Sequence, residues 1–259
     1  MTKSLANRHA FITGAGSGIG AAAAVALAAA GATVSLAGRR LEPLQATAAT
    51  LGDRAGAIVT LDVTDEAAIA AAAEQAEAAH GPVDILVANA GAAASGPFDK
   101  TERATWDAML AVNLTGVWLT TRAFLPGMVK RRSGRVIAIA STAGLVGYPY
   151  VAAYVAAKHG VVGLVRALAL EVARKGVTVN AVCPGFTETD LVAQSVATIV
   201  AKTGRSADEA RAELAKSNPM GRLVTPEEVA DAILWLAGQG AASINGQAIA
   251  VAGGEVMTG

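Results

Sequence analysis

The run His9-Ala10-Phe11-Ile12-Thr13-Gly14-Ala15-Gly16-Ser17-Gly18-Ile19-Gly20 changes character twice. Its first five residues form a short apolar strand pattern, four glycines interrupt the remainder, and the alanine-rich stretch to position 30 is a strong helix former. Glycines let a backbone turn tightly and approach a pyrophosphate. The helix start behind them offers unpaired N–H groups and the positive end of a dipole. The glycine spacing alone is unspecific, but a strand before and a helix after is the context that dinucleotide binding requires. The competing reading is a glycine-rich turn that only packs a helix on a sheet.

Outward from this run, a second strand at 32–37 ends in Gly38-Arg39-Arg40. Sites for NAD usually carry an acid there to hold the ribose 2′-hydroxyl. A glycine and two guanidinium groups instead match a 2′-phosphate, so the position favours NADP and leaves NAD possible. Two solvated surface arginines are the plainer alternative. Helices follow at 41–51 and 65–79, strands at 57–61 and 83–88, and Asn89-Ala90-Gly91 closes the last of these. Asp62, at a strand end, is set to meet an adenine edge or to help Thr64 and Asp65 cap the next helix. Strands alternating with helices predict an α/β protein with a three-layer, doubly wound parallel sheet, the Rossmann fold. No repeat or linker interrupts it, so residues 1–259 read as a single domain.

Composition narrows the function classes. Lys plus Arg and Asp plus Glu number 21 each, with no block of one sign, so neither a nucleic-acid surface nor an acidic tail is expected. The single Cys183 excludes an intrachain disulfide and a cysteine-built zinc cage, and His9, His80 and His159 lack metal-ligand company, so no metal is expected. Positions 11–38 carry no charge, yet six glycines make them a poor membrane span, and residues 1–8 lack a secretory core. A cytoplasmic protein without a membrane partner is the expectation.

The chemistry concentrates further on. Residues 134–140 read as a buried β-branched strand, Ser141 stands at its end, and a helix is predicted over 155–174. Tyr154 and Lys158 lie four apart, on one helix face. A free phenol titrates near pH ~10 and a nearby ammonium favours its ionised form. Serine and tyrosine hydroxyls could then grip and protonate one carbonyl oxygen. A buried ring beside a solvated amine is the plainer reading of the pair.

Taken in order, Thr13 to Gly20, Asp62-Val63, Asn89-Ala90-Gly91, Asn113, Ser141, Tyr154-x-x-x-Lys158 and Pro184-Gly185 resemble the short-chain dehydrogenase/reductase family over nearly the whole chain. The resemblance implies that Tyr154 is the general acid in reduction and the base in oxidation. It gives Lys158 the lowering of that pKa and the nicotinamide ribose, and Ser141 the substrate oxygen. Asn113, expected inside a helix over 107–130, would hold a water that links Lys158 to solvent. It implies cofactor contacts at Gly14, Ser17, Gly18, Ile19, Gly20, Arg39, Asp62, Val63, Asn89, Ala90, Gly91, Pro184, Gly185, Thr187 and Thr189. Two departures stand out: Ala88 where two asparagines often precede Ala-Gly, and Ser17 where NADP-using relatives often carry a basic residue.

The resemblance makes 186–217 a substrate lid, with a capped break at 202–206, ahead of a helix at 226–237. Pocket candidates at 92–94, 145–148, 186, 191 and 192 are mostly apolar or small, which suits an apolar carbonyl or alcohol substrate. Among relatives, the context is most similar to enzymes of 3-oxoacyl and 3-hydroxyacyl thioesters. Broad-range ketone reductases are the alternative, and a non-catalytic NADP-binding sensor or scaffold is the rival from another class. The family also implies a homotetramer.

Overall fold

The computed structural model describes residues 4–257. Seven parallel strands form one sheet in the order β3-β2-β1-β4-β5-β6-β7. They are β1 (His9–Thr13), β2 (Thr33–Gly38), β3 (Ala55–Thr60), β4 (Ile85–Ala88), β5 (Gly134–Ile139), β6 (Val177–Pro184) and β7 (Ala248–Val251). Helices α1 (Gly18–Ala29), α2 (Leu41–Leu51) and α9 (Pro226–Ala237) cover one face, and α3 (Glu66–His80), α5 (Gly116–Arg131) and α6 (Ala152–Val172) cover the other. The Rossmann architecture read from the sequence is thus present, and most expected boundaries fall within three residues of the observed ones.

Burial on both faces explains the near-continuous apolar strands. Along β1, Ala10 and Ile12 pack towards α1 and α9 while Phe11 packs towards α5. The Phe11 and Phe124 rings lie 4.8 Å apart at the centre of that second layer. The last crossover differs from the others. β1–α1–β2 and β6–α9–β7 place their helices on one face but run in opposite directions across the sheet, so their hands are opposite. With the first right-handed, as such units nearly always are, the last is left-handed.

One expectation needs correction. The helix foreseen over 107–130 is two helices, α4 (Arg103–Leu110) and α5, joined by a wider π-helical turn at Ala111–Thr115. By length and composition Arg103–Arg131 could cross a membrane, but it is divided by this turn and packs against α3 and α6. Residues 186–217 hold α7 (Asp190–Thr203) and α8 (Ala207–Ala215), parted where expected: Gly204 takes φ +70° and Ser206 and Glu209 form a capping box. Val192, Val196 and Ala210 form a small core there with Leu223, so Val192 is spent on packing the two helices together.

Phe124→Ala should cost about 3–5 kcal/mol of stability, read from denaturant midpoints, and Phe124→Leu distinctly less, because the cost follows the cavity left against Phe11.

Candidate active site

The glycine loop is held from behind. At the end of β1, the Thr13 hydroxyl oxygen accepts from the backbone N–H groups of both Asn89 and Ala90, each at 3.0 Å. The Asn89 amide answers by donating to the carbonyls of Thr13 at 2.9 Å and Gly14 at 3.1 Å. Asn89 therefore stitches the end of β4 to the loop with its side chain, whatever its backbone borders. A Cβ on Gly20 would stand 2.2 Å from the Gly14 carbonyl oxygen, so only glycine lets α1 start this close to the loop. Ser17 precedes α1 without capping it, and the N–H groups of Gly18, Ile19 and Gly20 have no hydrogen-bond partner among the described residues. That is a ready anion cradle.

Past β2, Arg39 and Arg40 are exposed and have no ion-pair partner among the described residues. Arg39 lies near enough to Asp62 to help lower its pKa, after the larger effect of the Thr64 backbone and hydroxyl donors. Asp62 Oδ1 takes both of those donors, at 2.9 and 2.8 Å. Asp65, not Asp62, caps α3, accepting from Ala68 N–H. Val63 is buried against Gly116. The cradle fits the pyrophosphate of a dinucleotide.

At the end of β5 the backbone passes through Ser141 into a tight turn at Thr142–Gly144. Gly144 is required there, because a Cβ would stand 2.7 Å from the carbonyl oxygen of Lys158 on α6. This close approach brings the Ser141 hydroxyl to the Tyr154 phenol, where it favours the ionised form. Burial outweighs it and holds the phenol above its ordinary pKa, against the sequence argument that the neighbouring amine would prevail. Lys158 is 3% exposed, and its Nζ donates to the Ile139 carbonyl at 2.8 Å and lies 5.6 Å from the Tyr154 ring centre. Burial lowers its pKa to about 8. Cys183, beneath both, is pushed up to about 11 by burial.

Asn113 is fully buried in the π-helical turn. Its amide donates to the carbonyls of Met109 at 3.0 Å and Ala92 at 2.9 Å, and its Oδ1 accepts from Ala92 N–H at 3.2 Å. The point a Cβ on Gly91 would occupy is 3.0 Å from Asn113 Oδ1 and 3.9 Å from Lys158 Nζ. Gly91 thus keeps open the gap between them.

Pro184 ends β6 and Gly185 leads to Thr187, whose hydroxyl donates to the Gly185 carbonyl at 3.0 Å. Thr189 lies against Gly18, its Cγ2 2.9 Å from where a Cβ there would be, so this segment meets the glycine loop. Opposite, the pocket candidates Tyr148 and Phe186 meet Thr142 and Glu255, the last of which was absent from the sequence reading. The Tyr148 hydroxyl bonds Thr142 Oγ1 at 2.8 Å and Glu255 Oε1 at 2.6 Å, and the Tyr148 ring meets Phe186 edge-on at 6.1 Å. The one available signal for Glu255 was the Gly253-Gly254 pair before it.

Residues 8–199 match the family described as short chain dehydrogenase. "Inactive 2-(S)-hydroxypropyl-CoM dehydrogenase 2" of Xanthobacter autotrophicus is 44% identical over 86% of this chain and 95% of its own. D-beta-hydroxybutyrate dehydrogenase of Cupriavidus necator is 40% identical over 75% of this chain and 76% of its own. Among solved structures, a point variant of actinorhodin polyketide ketoreductase with NADPH superposes with a TM-score of 0.93 at 39% identity, covering 98% of this chain and 99% of that one. Fold, sequence and family match agree: this chain belongs to the short-chain dehydrogenase family of oxidoreductases acting on CH–OH groups.

Proposed function

We propose that the protein interconverts a ketone and a secondary alcohol with NADP in preference to NAD, on a 3-oxoacyl or 3-hydroxyacyl thioester or a similarly apolar compound. The convergence of Ser141, Tyr154 and Lys158 at the end of β5 carries this reading. When bound, the reduced nicotinamide supplies the hydride. Ser141 donates a hydrogen bond to the ketone oxygen and stabilises its developing charge. Tyr154, a phenol whose pKa burial raises further above neutral, passes its proton to that oxygen and completes the alcohol. Lys158 holds the cofactor ribose and, through the gap beside Gly91 and Asn113, a path for the proton's return. In oxidation the same groups act in reverse.

The cofactor choice rests on unpaired Arg39 beside Asp62, with Ser17, Asn89 to Gly91, Pro184-Gly185, Thr187 and Thr189 bordering the remainder. Leu145, Tyr148 and Phe186 give the substrate side its apolar character, in line with a polyketide ketoreductase as structural relative. A small free hydroxy acid, suggested by the hydroxybutyrate relative, fits less well, since the Glu255 carboxylate stands at this wall. Residues 186–217 serve as the lid. Trp118 on α5 and Leu170 on α6 expose apolar surface that suits a tetramer built across those helices. One finding favours a second reading, a nucleotide-binding scaffold without turnover: a relative at 44% identity is named inactive. Wild-type protein inert on a broad ketone and alcohol panel with both cofactors would select that reading.

Tyr154→Phe should lower kcat by about 10²–10⁴-fold while NADPH still binds by fluorescence titration; undiminished turnover would remove Tyr154 as the proton donor. Arg39→Asp should raise KM for NADPH far more than for NADH, and equal changes would detach Arg39 from the 2′-phosphate. Lys158 has a folded pKa of about 8, below that of the unfolded chain. Its burial therefore costs stability below pH 8, and the cost is relieved as pH rises beyond it. Lys158→Met should abolish turnover yet gain on the order of 3 kcal/mol at pH 7 at most, less the loss of the Ile139 partner. That gain should shrink between about pH 8 and 10, read from denaturation at each pH.

A further inference from the structure

Beyond β7, Gly253 and Gly254 turn the chain back on itself with φ of +60° and +94°. A Cβ on Gly253 would stand 2.0 Å from Oδ1 of Asn218, a buried side chain closing the 186–217 segment, so the turn is seated there by close contact. Glu255 leaves this turn with its N–H donating to the Ala252 carbonyl at 3.1 Å. Its side chain runs between the two segments beside Ser141: residues 142–148 after β5 and residues 185–186 after β6.

The two carboxylate oxygens of Glu255 have different surroundings. Oε1 accepts from the Tyr148 phenol at 2.6 Å, and that phenol oxygen lies 2.8 Å from the Thr142 hydroxyl. A phenol has one proton, so the order is Thr142 donating to Tyr148 and Tyr148 donating to Glu255. Burial and the carboxylate both raise the Tyr148 pKa, which keeps that proton in place. Oε2 is buried and has no hydrogen-bond partner among the described residues. It stands 2.8 Å from where a Cβ on Gly185 would be, so the glycine leaves the room that Oε2 takes. Folded chains leave few buried acceptors unpaired, and such atoms mark places that water or a ligand completes. The groups that hold the same carboxylate through Oε1 belong to the wall of the ketone site: Tyr148, bonded to Thr142 next to Ser141, with its ring against Phe186.

We propose that Glu255 is a specificity-determining residue whose Oε2 accepts a hydrogen bond from an N–H or O–H group that the substrate carries beyond its reacting carbonyl. The inference rests on the ketone–alcohol reading and deepens it. An otherwise apolar cleft gains one polar anchor, which selects carbonyl compounds bearing an amide or hydroxyl, such as an acyl chain joined by a thioester to an amide-containing arm. Anchoring through Tyr148 fixes the carboxylate before substrate arrives, so little ordering cost remains on binding.

Two matched pairs test it. The 3-oxobutanoyl thioester of N-acetylcysteamine is compared with its 2-acetoxyethyl analogue, in which an ester oxygen replaces the N–H. 4-(4-Hydroxyphenyl)butan-2-one is compared with its methyl ether. Wild-type kcat/KM should favour the donor-bearing member of at least one pair by about tenfold or more, as for hydrogen bonds to a charged group. Glu255→Gln keeps an acceptor for Tyr148 and presents an amide N–H in place of Oε2. The preference should then fall to parity or reverse, while the donor-free member changes by less than about twofold. Glu255→Met, which removes both oxygens, should collapse the ratio in the same way if Glu255→Gln does not fold. A merely structural residue would lower both members alike, so a ratio that is unmoved in the variants, or that is near one in wild type for both pairs, overturns the proposal. Turnover of the ketone pair alone, with a collapsing ratio, upholds Glu255 and rejects only the thioester. Failure to reduce any of the four compounds with either cofactor removes the functional reading and this inference with it.

Discussion

A primary ammonium buried among apolar side chains is expensive, and Lys158 is such a group. Its donation to the Ile139 carbonyl offsets part of the cost and fastens α6 to the end of β5 at 2.8 Å. Much of the site depends on that attachment. Gly144 has to be glycine because the turn after β5 passes over the Lys158 carbonyl, and this passage puts Ser141 against Tyr154. Cys183 lies under the same junction, and burial keeps its thiol protonated rather than leaving an anion to pair with the amine. A hydrophobic residue at 158 would be cheaper to bury, which is why the lysine is best understood as a functional expense.

Most polar side chains around the crevice are spent on backbone rather than left free. Thr13 and Asn89 lock the ends of β1 and β4 to the glycine loop, Asn113 locks the segment after β4 to a helical turn, and Thr187 closes the turn after β6. Parallel strands end in loops whose N–H and C=O groups have no ladder partner, and every buried one needs satisfying. The side chains that do so set the shape of the crevice. Around the crevice, among the described residues, the unpaired groups are few: the first N–H groups of α1, Arg39, and Oε2 of Glu255, while the other buried orphan, Arg135 Nε, lies at the far end of β5. The contrast between satisfied and unsatisfied groups separates framework from contact surface.

The sheet and its helices were legible because the apolar periods are strong and the glycines punctuate them. The positions of Arg39, Ser141, Tyr154 and Lys158 were legible because each falls at a strand end or on a helix face that the periods define. Three things were not. Gly116 directly follows the change at Ala111–Thr115, but a lone glycine in an apolar-periodic run does not specify an extra residue per turn. The Tyr154 shift depends on how deeply the ring is enclosed, a tertiary quantity that spacing four from a lysine does not supply. Glu255 is 107 residues from Tyr148 in the chain, and only the fold makes them neighbours. The capping of α3 lay between these cases: Asp62 and Asp65 were both eligible, and the backbone's path assigned the cap to Asp65 while Asp62 closed its own turn with Thr64.

The buried face of α1 is Gly20, Ala23, Ala24, Leu27 and Ala28, almost without bulk. A helix so thin on its inner side rides low over the strands, and its first turn is thereby carried down to the rim where β1 stops. The depth of the phosphate cradle is accordingly a matter of methyl groups. Enlarging Ala23 or Ala24 by a few carbons would lift the helix like a shim under a beam, tilting its leading N–H groups off their target without altering any residue that faces a ligand.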